Sequence, residues 1–161
     1  MSDAEANVTI RDATPADGAA IVALMGELAA SLNEPNSLDA AYVARYLATP
    51  GMGLMLAWTG QRAVGLLSYM VRPNLFHAAP ACQIENLGVA AGYRSRGIGG
   101  KLVEELLRRA AALGCAEVSV TTMPDNADAI RFYRRHGLAD EALYLELHLS
   151  DGLTHGPTRL E

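Results

Sequence analysis

The segment Arg94-Ser95-Arg96-Gly97-Ile98-Gly99-Gly100-Lys101 gathers three cations and three glycines directly ahead of an apolar set at helical spacing: Ile98, Leu102, Val103, Leu106, Leu107 and Ala110. At the start of a helix the first backbone N–H groups lack internal partners and the helix dipole is positive. Glycines at 97, 99 and 100 would let a ligand approach that backbone closely. The chemistry such a turn can do is anion binding, and a pyrophosphate fits it, with Arg94, Arg96 and Lys101 adding charge where the dipole already favours it. Two familiar phosphate motifs fail on spacing. G-x-x-x-x-G-K-[ST] is absent, and Leu102 stands where a G-x-G-x-x-G run from Gly97 needs its third glycine. As a bare pattern the turn is weak, and its weight depends on the elements around it.

Those elements can be read from periodicity. Thr14-Pro15-Ala16-Asp17 is a helix start, with a hydroxyl cap, proline at the first helical position and an acid three residues after the cap. Ile21, Leu24, Met25 and Leu28 continue it to about residue 30, after a short strand near 8–11. Ser37 can cap a second helix with Leu38, Tyr42, Val43 and Tyr46 inward, ended by Pro50-Gly51. Residues 53–58 and 62–71 flank Thr59-Gly60-Gln61 as a hairpin, and Arg72 to Pro80 reads as a loop leading to a strand over 82–89. After the glycine turn comes the clearest helix, with Glu104/Arg108 and Glu105/Arg109 as i,i+4 pairs on its outer face. A strand over 116–122, a helix over 126–136 closed by Gly137 and a strand over 143–149 complete the order. The result is a mixed α/β (α+β) sheet in one domain over 1–161, not a doubly wound one. Residues 152–161 would form an arm or a flexible tail.

Composition agrees. The chain has 161 residues, half of them apolar and 19% charged, with 13 Lys+Arg against 18 Asp+Glu for a net charge of −5. That excludes a disordered or fibrous chain, and it argues against a nucleic-acid binder that works by neutralising many phosphates. No apolar run approaches the roughly 18 residues of a membrane span, and the start carries Asp3 and Glu5, so the expectation is a soluble, cytoplasmic protein. Cys82 and Cys115 lack CxxC spacing and read as thiols rather than a disulfide. His77, His136, His148 and His155 show no metal spacing, and G-x-S-x-G is absent, so neither a metal site nor a serine hydrolase is expected.

Ile84-Glu85-Asn86-Leu87-Gly88-Val89, then Tyr93 through Gly99, then Asn126, Ala129, Phe132-Tyr133 and Gly137 together resemble the GNAT superfamily of acetyl-CoA-dependent N-acetyltransferases, over roughly residues 8 to 149. The resemblance implies a mostly antiparallel mixed sheet in which the strand ending at Val89 and the strand over 116–122 run parallel and splay apart. It implies that pantetheine lies in that notch, bonded to strand backbone near Leu87 and Val89 as an added strand would be, with its pyrophosphate on Arg94, Ser95, Arg96, Gly97, Ile98, Gly99 and Gly100. Asn126 would hydrogen-bond the cofactor, and the Val89 N–H would polarise the thioester carbonyl.

Acetyl transfer to an amine needs a neutral amine, a polarised carbonyl and a proton for the departing thiolate. A lysine-like amine at pH 7 is neutral in about one molecule in 2,500, a handicap of roughly 4.6 kcal/mol that a base must help relieve. Glu85 is the candidate base, with Gln83 as the alternative holder of a water, and simple alternation puts Gln83, Glu85, Leu87 and Val89 on one face. A bulge would break that parity. Tyr133 matches the family's general acid. The acceptor expected first is a small primary amine, then a protein amino terminus or lysine; a non-catalytic CoA-binding regulator is a different class of answer. The loops over 31–37 and 72–80 are expected to shape the acceptor site. Gly88, where an aromatic is common in the family, would enlarge a pocket there. A homodimer is an arrangement that a C-terminal arm would serve.

Overall fold

The computed structural model describes residues 7–147 and 149. Strands β1 (Val8–Asp12), β2 (Met52–Thr59), β3 (Arg62–Asn74), β4 (Ala79–Val89) and β5 (Glu117–Val120) form one sheet in the order β1-β2-β3-β4-β5. The first four pair antiparallel, and β4 and β5 pair parallel. The hairpin between β2 and β3 turns at Gly60, whose φ of 58° lies in the left-handed region that favours glycine.

Period-2 patterning, reset once at Val64 by a bulge opposite Ala57 and Trp58, sorts the strand side chains to two cores. On one face Met55, Val64, Leu67, Cys82 and Ile84 pack with Ile98, Leu102, Val103, Leu106 and Ala110 of α3 (Ile98–Ala112). On the other, Leu54, Leu56, Leu66 and Ala90 pack with Ile21 and Leu24 of α1 (Gly18–Leu32) and Val43 of α2 (Ala40–Ala48). Leu66 and Leu67, neighbours in sequence, are both fully buried, one in each core. Each such side chain contributes about 1.5–3 kcal/mol of burial. A fourth helix, α4 (Ala127–Arg135), follows β5 and lays Phe132 and Tyr133 on the α3 core.

The predicted start at Thr14 forms with additional support. The Thr14 backbone N–H and hydroxyl both donate to Asp17, at 2.8 and 3.0 Å, and Arg11 grips the same carboxylate with two 2.8 Å bonds. That pairing holds Asp17 well below the usual carboxylate range. Pro15–Asp17 is a 3-10 turn and α1 proper begins at Gly18. Together they span 18 residues of mean hydropathy 1.3, which by length and composition could cross a membrane. This corrects the expectation that no segment approaches that length. Here Ile21 and Leu24 are spent on the core between α2 and the sheet.

Four further expectations are corrected. The second helix is capped by Asp39, which accepts the Tyr42 N–H at 2.7 Å, not by Ser37, and Tyr42 itself faces outward. The loop over 72–80 shrinks to a turn at 75–78, because β3 runs to Asn74 and β4 begins at Ala79. β5 is four residues long, within the predicted 116–122. No strand forms among the described residues after Gly137. Leu143, Leu145, Leu147 and Leu149 alternate as a strand would but are more than four-fifths exposed, since alternation makes a strand only where a partner supplies the ladder. His148 and the expected arm over 152–161 lie outside the described residues. Cys82 and Cys115 are both free, and burial pushes the Cys82 thiol up to about 11.

Candidate active site

The ladder between β4 and β5 runs from Ala81↔Glu117 to Ile84↔Val120 and stops. Beyond it Glu85–Val89 keep β3 as a neighbour on one side only, with Leu87 opposite Leu67 and Val89 opposite Gly65. The parallel pair therefore splays at Glu85, and the far edge of β4 can take a ligand as an added strand.

An irregularity sits at that point. Ser68 pairs with Asn86 and the next residue, Tyr69, pairs with Ile84, which leaves Glu85 unopposed in a β-bulge. Alternation is thereby reset. Cys82 and Ile84 before it, and Leu87 and Val89 after it, all pack in the α3 core, so Gln83 and Glu85 are not on the face of Leu87 and Val89 as simple alternation predicts. Asn86 belongs to the opposite side with them, where its Nδ2 donates to the buried Ser68 hydroxyl at 2.8 Å. Tyr46 of α2 closes this side. Its hydroxyl reaches the carbonyls of Gly53 and Tyr69 at 3.4 and 3.3 Å. Burial pushes its phenol up, a hydrogen bond with Ser68 offsets part of that, and the negative charge of Glu85 adds to the rise. Glu85 itself is exposed. Gly88 opens no pocket, because a Cβ there would already meet Leu28 of α1 at 3.5 Å. The turn at 75–78 lies about 20 Å along β4 from Glu85 at the usual strand rise.

The glycine turn follows β4 without delay. Arg94 folds back and donates from Nε to the Val89 carbonyl at 3.1 Å, tying the turn to the strand end. Ser95 and Gly97 both have left-handed φ, 61° and 75°, with Arg96 between them. Serine in that region costs on the order of 1 kcal/mol, and alternation with left-handed residues aims successive N–H groups into one concavity. Gly97 caps α3 without a side chain, and nothing lies within 4 Å of where its Cβ would be. By contrast, Asp39 caps α2 and Asn126 caps α4, accepting the Ala129 N–H at 3.1 Å. The first N–H groups of α3 are thus left for an anion. Gly99 and Gly100 serve the helix contact: Cβ atoms there would stand 3.5 Å from Phe132 and 3.2 Å from His136, with Leu87 3.9 Å from the former. Gly99 therefore borders the gap between β4 and α4.

Tyr133 follows Phe132 on α4 and packs edge-on to it, with centroids 5.1 Å apart, on the core beneath α3. Burial pushes its phenol up to about 12, so it keeps its proton throughout the physiological range. Donation to a thiolate of ordinary pKa near 8.5 is then uphill by more than three pKa units, a larger step than an unperturbed phenol would take. Asn126 spends its Oδ1 on capping α4, which leaves its Nδ2 as the group to reach a ligand. A cleft of about 270 Å³ opens elsewhere, between the C-terminal ends of α3 and α4, lined by Leu107, Ala110, Cys115, Glu117, His136 and Leu138. It lacks the converging donors of the turn. Among the described residues no group of three or more His, Cys, Asp or Glu could hold a metal.

The model of the acetyltransferase (GNAT) family matches residues 22–138, a span that includes the splayed parallel pair, the bulge at the splay and the uncapped start of α3 behind its positive-φ turn. The chain belongs to the GNAT acetyltransferase family. Its fold is that of solved relatives: a transcriptional regulator from Bacillus halodurans C-125 (28% identity, 88% of this chain and 99% of that one, TM-score 0.78) and a putative acetyltransferase from Agrobacterium tumefaciens strain C58 (25%, 87% and 99%, 0.78). An aminoglycoside acetyltransferase from an uncultured soil metagenomic sample, at 20% identity, shares the fold over 89% of this chain and 95% of its own, with a TM-score of 0.77. No curated protein matches the sequence. Sequence reasoning did not find Ser68, Tyr46 or Arg62, of which the last stands beside the turn through Tyr93. Only the cross-strand register could have revealed Ser68, and Tyr46 reads from the sequence as no more than an inward position of the second helix.

Proposed function

We propose that this GNAT protein transfers an acetyl group from acetyl-CoA to a primary amine of a small molecule by direct attack. The observation that carries the reading is the juxtaposition of an open β4 edge with an uncapped α3 N-terminus, one suited to a pantetheine chain and the other to a pyrophosphate. Acetyl-CoA supplies the thioester whose C–S bond breaks as the new C–N bond forms. The Leu87 and Val89 backbone would hold the pantetheine amides, and the Val89 N–H would be the single donor to the thioester carbonyl. Arg94, Ser95, Arg96, Gly97, Ile98, Gly99 and Gly100 hold the pyrophosphate, with the Asn126 Nδ2 as a further donor. Glu85, directly or through a water held with Gln83, takes the proton from the attacking amine. Tyr133 gives its proton to the departing thiolate, and burial ensures that the phenol form is the one present.

The bulge supports the division of labour between these two groups. It turns Glu85 and Asn86 toward the α1 and α2 side while Leu87 and Val89 stay against α3, so acceptor and donor approach β4 from different sides. A CoA-binding regulator without turnover is the second reading, favoured by the fold shared with a transcriptional regulator. Thiol release from acetyl-CoA across a panel of amino acids, polyamines, amino sugars and amino-terminal peptides separates the two. Turnover on a small amine is the expected result, and binding without turnover on any acceptor selects the regulator. Glu85→Gln is expected to lower the rate most below the amine's own pKa, the deficit shrinking as pH rises toward about 10. A pH profile identical to wild type would reassign the base.

A further inference from the structure

Arg62 opens β3 at the end of the sheet that carries the glycine turn, because its near neighbours Val64 and Gly65 stand beside Ala90 and Val89. Its guanidinium carbon lies 5.2 Å from the centroid of the Tyr93 ring, and that of Arg96 lies 5.2 Å from the same centroid. A ring's electron-rich face accounts for the attraction of either cation singly. Among the described residues neither forms a salt bridge to a carboxylate, whereas Arg11, Arg108, Arg109, Arg131 and Arg134 each do. In a chain of net charge −5 two guanidiniums drawn to one tyrosine and left without a carboxylate are prepared for an anion from outside.

We propose that the guanidiniums of Arg62 and Arg96, gathered on Tyr93, form a second anion subsite that takes the 3′-phosphate of the CoA ribose, while the backbone N–H groups of the glycine turn, that of Arg96 included, serve the pyrophosphate. The proposal rests on the acetyl-CoA reading above. The backbone N–H groups of the turn suit the pyrophosphate, which is bound along its length and offers many oxygens. A phosphomonoester differs: it carries close to two negative charges at neutral pH and presents three equivalent oxygens, which two guanidinium forks match in charge and geometry. CoA places such a group one ribose away from its pyrophosphate. Arg62 comes from a hairpin outside the turn, so it can add selectivity for the 3′-phosphate without contributing to the pyrophosphate cradle.

The test is calorimetric titration of the full chain with CoA and with 3′-dephospho-CoA, for wild type, Arg62→Gln and Arg62→Lys. Wild type is expected to bind CoA about tenfold more tightly than 3′-dephospho-CoA, a preference that shrinks as salt is raised. Arg62→Gln should remove most of that preference by weakening CoA about tenfold while leaving 3′-dephospho-CoA within about twofold of wild type. Arg62→Lys should retain part of it, since the charge remains and the fork is lost. Equal weakening for both ligands would mean a role in the fold of the turn, and no weakening for either would mean a stacked surface arginine; both overturn the proposal. A wild type that binds neither ligand would instead overturn the acetyl-CoA reading on which it stands.

Discussion

In its C-terminal half α3 carries Arg108 and Arg109, both bonded to Glu105 at 2.7–3.0 Å, and Arg109 is tied in addition to Asp12 at the end of β1. At its other end Arg94, Arg96 and Lys101 surround the start of the helix, and among the described residues none of them forms a salt bridge. One helix thus has a closed end, where both arginines are answered within the chain, and an open end, where charge and unsatisfied N–H groups accumulate together. The closed end should govern stability. The open end should govern binding, with little effect on stability because it has few internal contacts to lose. Sequence predicts two parallel pairs at the closed end, Glu104/Arg108 and Glu105/Arg109; the structure gives both arginines to Glu105, while Glu104 lies 4.0 Å from His136 of α4.

The largest effect is expected from Gly99→Glu, which would put a carboxylate into the gap bordered by Leu87 and Phe132 beside the anion site. Acetyl-CoA affinity should fall by about a hundredfold or more in calorimetry, since one repelling charge replaces an attractive site. Circular dichroism should show the fold retained. Next is Tyr133→Phe, on the helix that packs against the open end. A drop in kcat of about tenfold or more with acetyl-CoA affinity nearly unchanged is the expected pattern for a general acid, and an unchanged kcat would remove Tyr133 from the chemistry. Because the phenol sits at about 12, no loss of activity between pH 8 and 10 should trace to it.

Glu105→Gln tests the closed end. Hydrogen bonds from Arg108 and then Arg109 hold the Glu105 carboxylate down at about 2, against an ordinary value near 4.5. A lowered folded pKa means stabilisation that is complete above about pH 4.5 and lost as pH falls toward 2. With Glu105 and Arg109 about a quarter exposed, solvent screening reduces the worth of these pairs to about 1 kcal/mol. Wild type should therefore exceed the variant in thermal midpoint by roughly 2–4 °C at pH 7, with the two converging near pH 2. Acetyl-CoA affinity should not change. The smallest effect is expected from Arg131→Ala, whose partner Asp128 is 91% exposed. A shift in thermal midpoint too small to measure is the expected result, and a loss comparable to that of Glu105→Gln would show that exposure is a poor guide to which pairs matter here.

Much of this is legible in residue types and spacing. The glycine turn, the helix behind it and the hairpin ahead of it follow from local rules, which is why Arg94 to Gly100 fall where the sequence puts them. What the sequence misplaces depends on partners distant in the chain. The bulge at Glu85 is set by the pairing of Ser68 with Asn86, so alternation along β4 alone assigns Gln83 and Glu85 to the wrong face. Tyr42, expected inward with Val43 and Tyr46, is exposed because the face that this short helix buries is narrower than the apolar set in its sequence, with Val43 buried and Tyr46 half-buried. Arg62 carries no motif at all. Its place beside Tyr93 comes from the ladder that brings Gly65 to Val89. Conversely, Leu143 to Leu149 has the pattern of a strand and lacks a ladder among the described residues.

The most direct measurement titrates wild type, Gly99→Glu and Glu105→Gln with acetyl-CoA under identical salt and pH. The two ends of α3 are predicted to separate cleanly, with wild type and Glu105→Gln binding alike and Gly99→Glu not binding. A wild type that fails to bind, or a Glu105→Gln that loses affinity as Gly99→Glu does, would contradict the assignment of the open end of α3 to the cofactor.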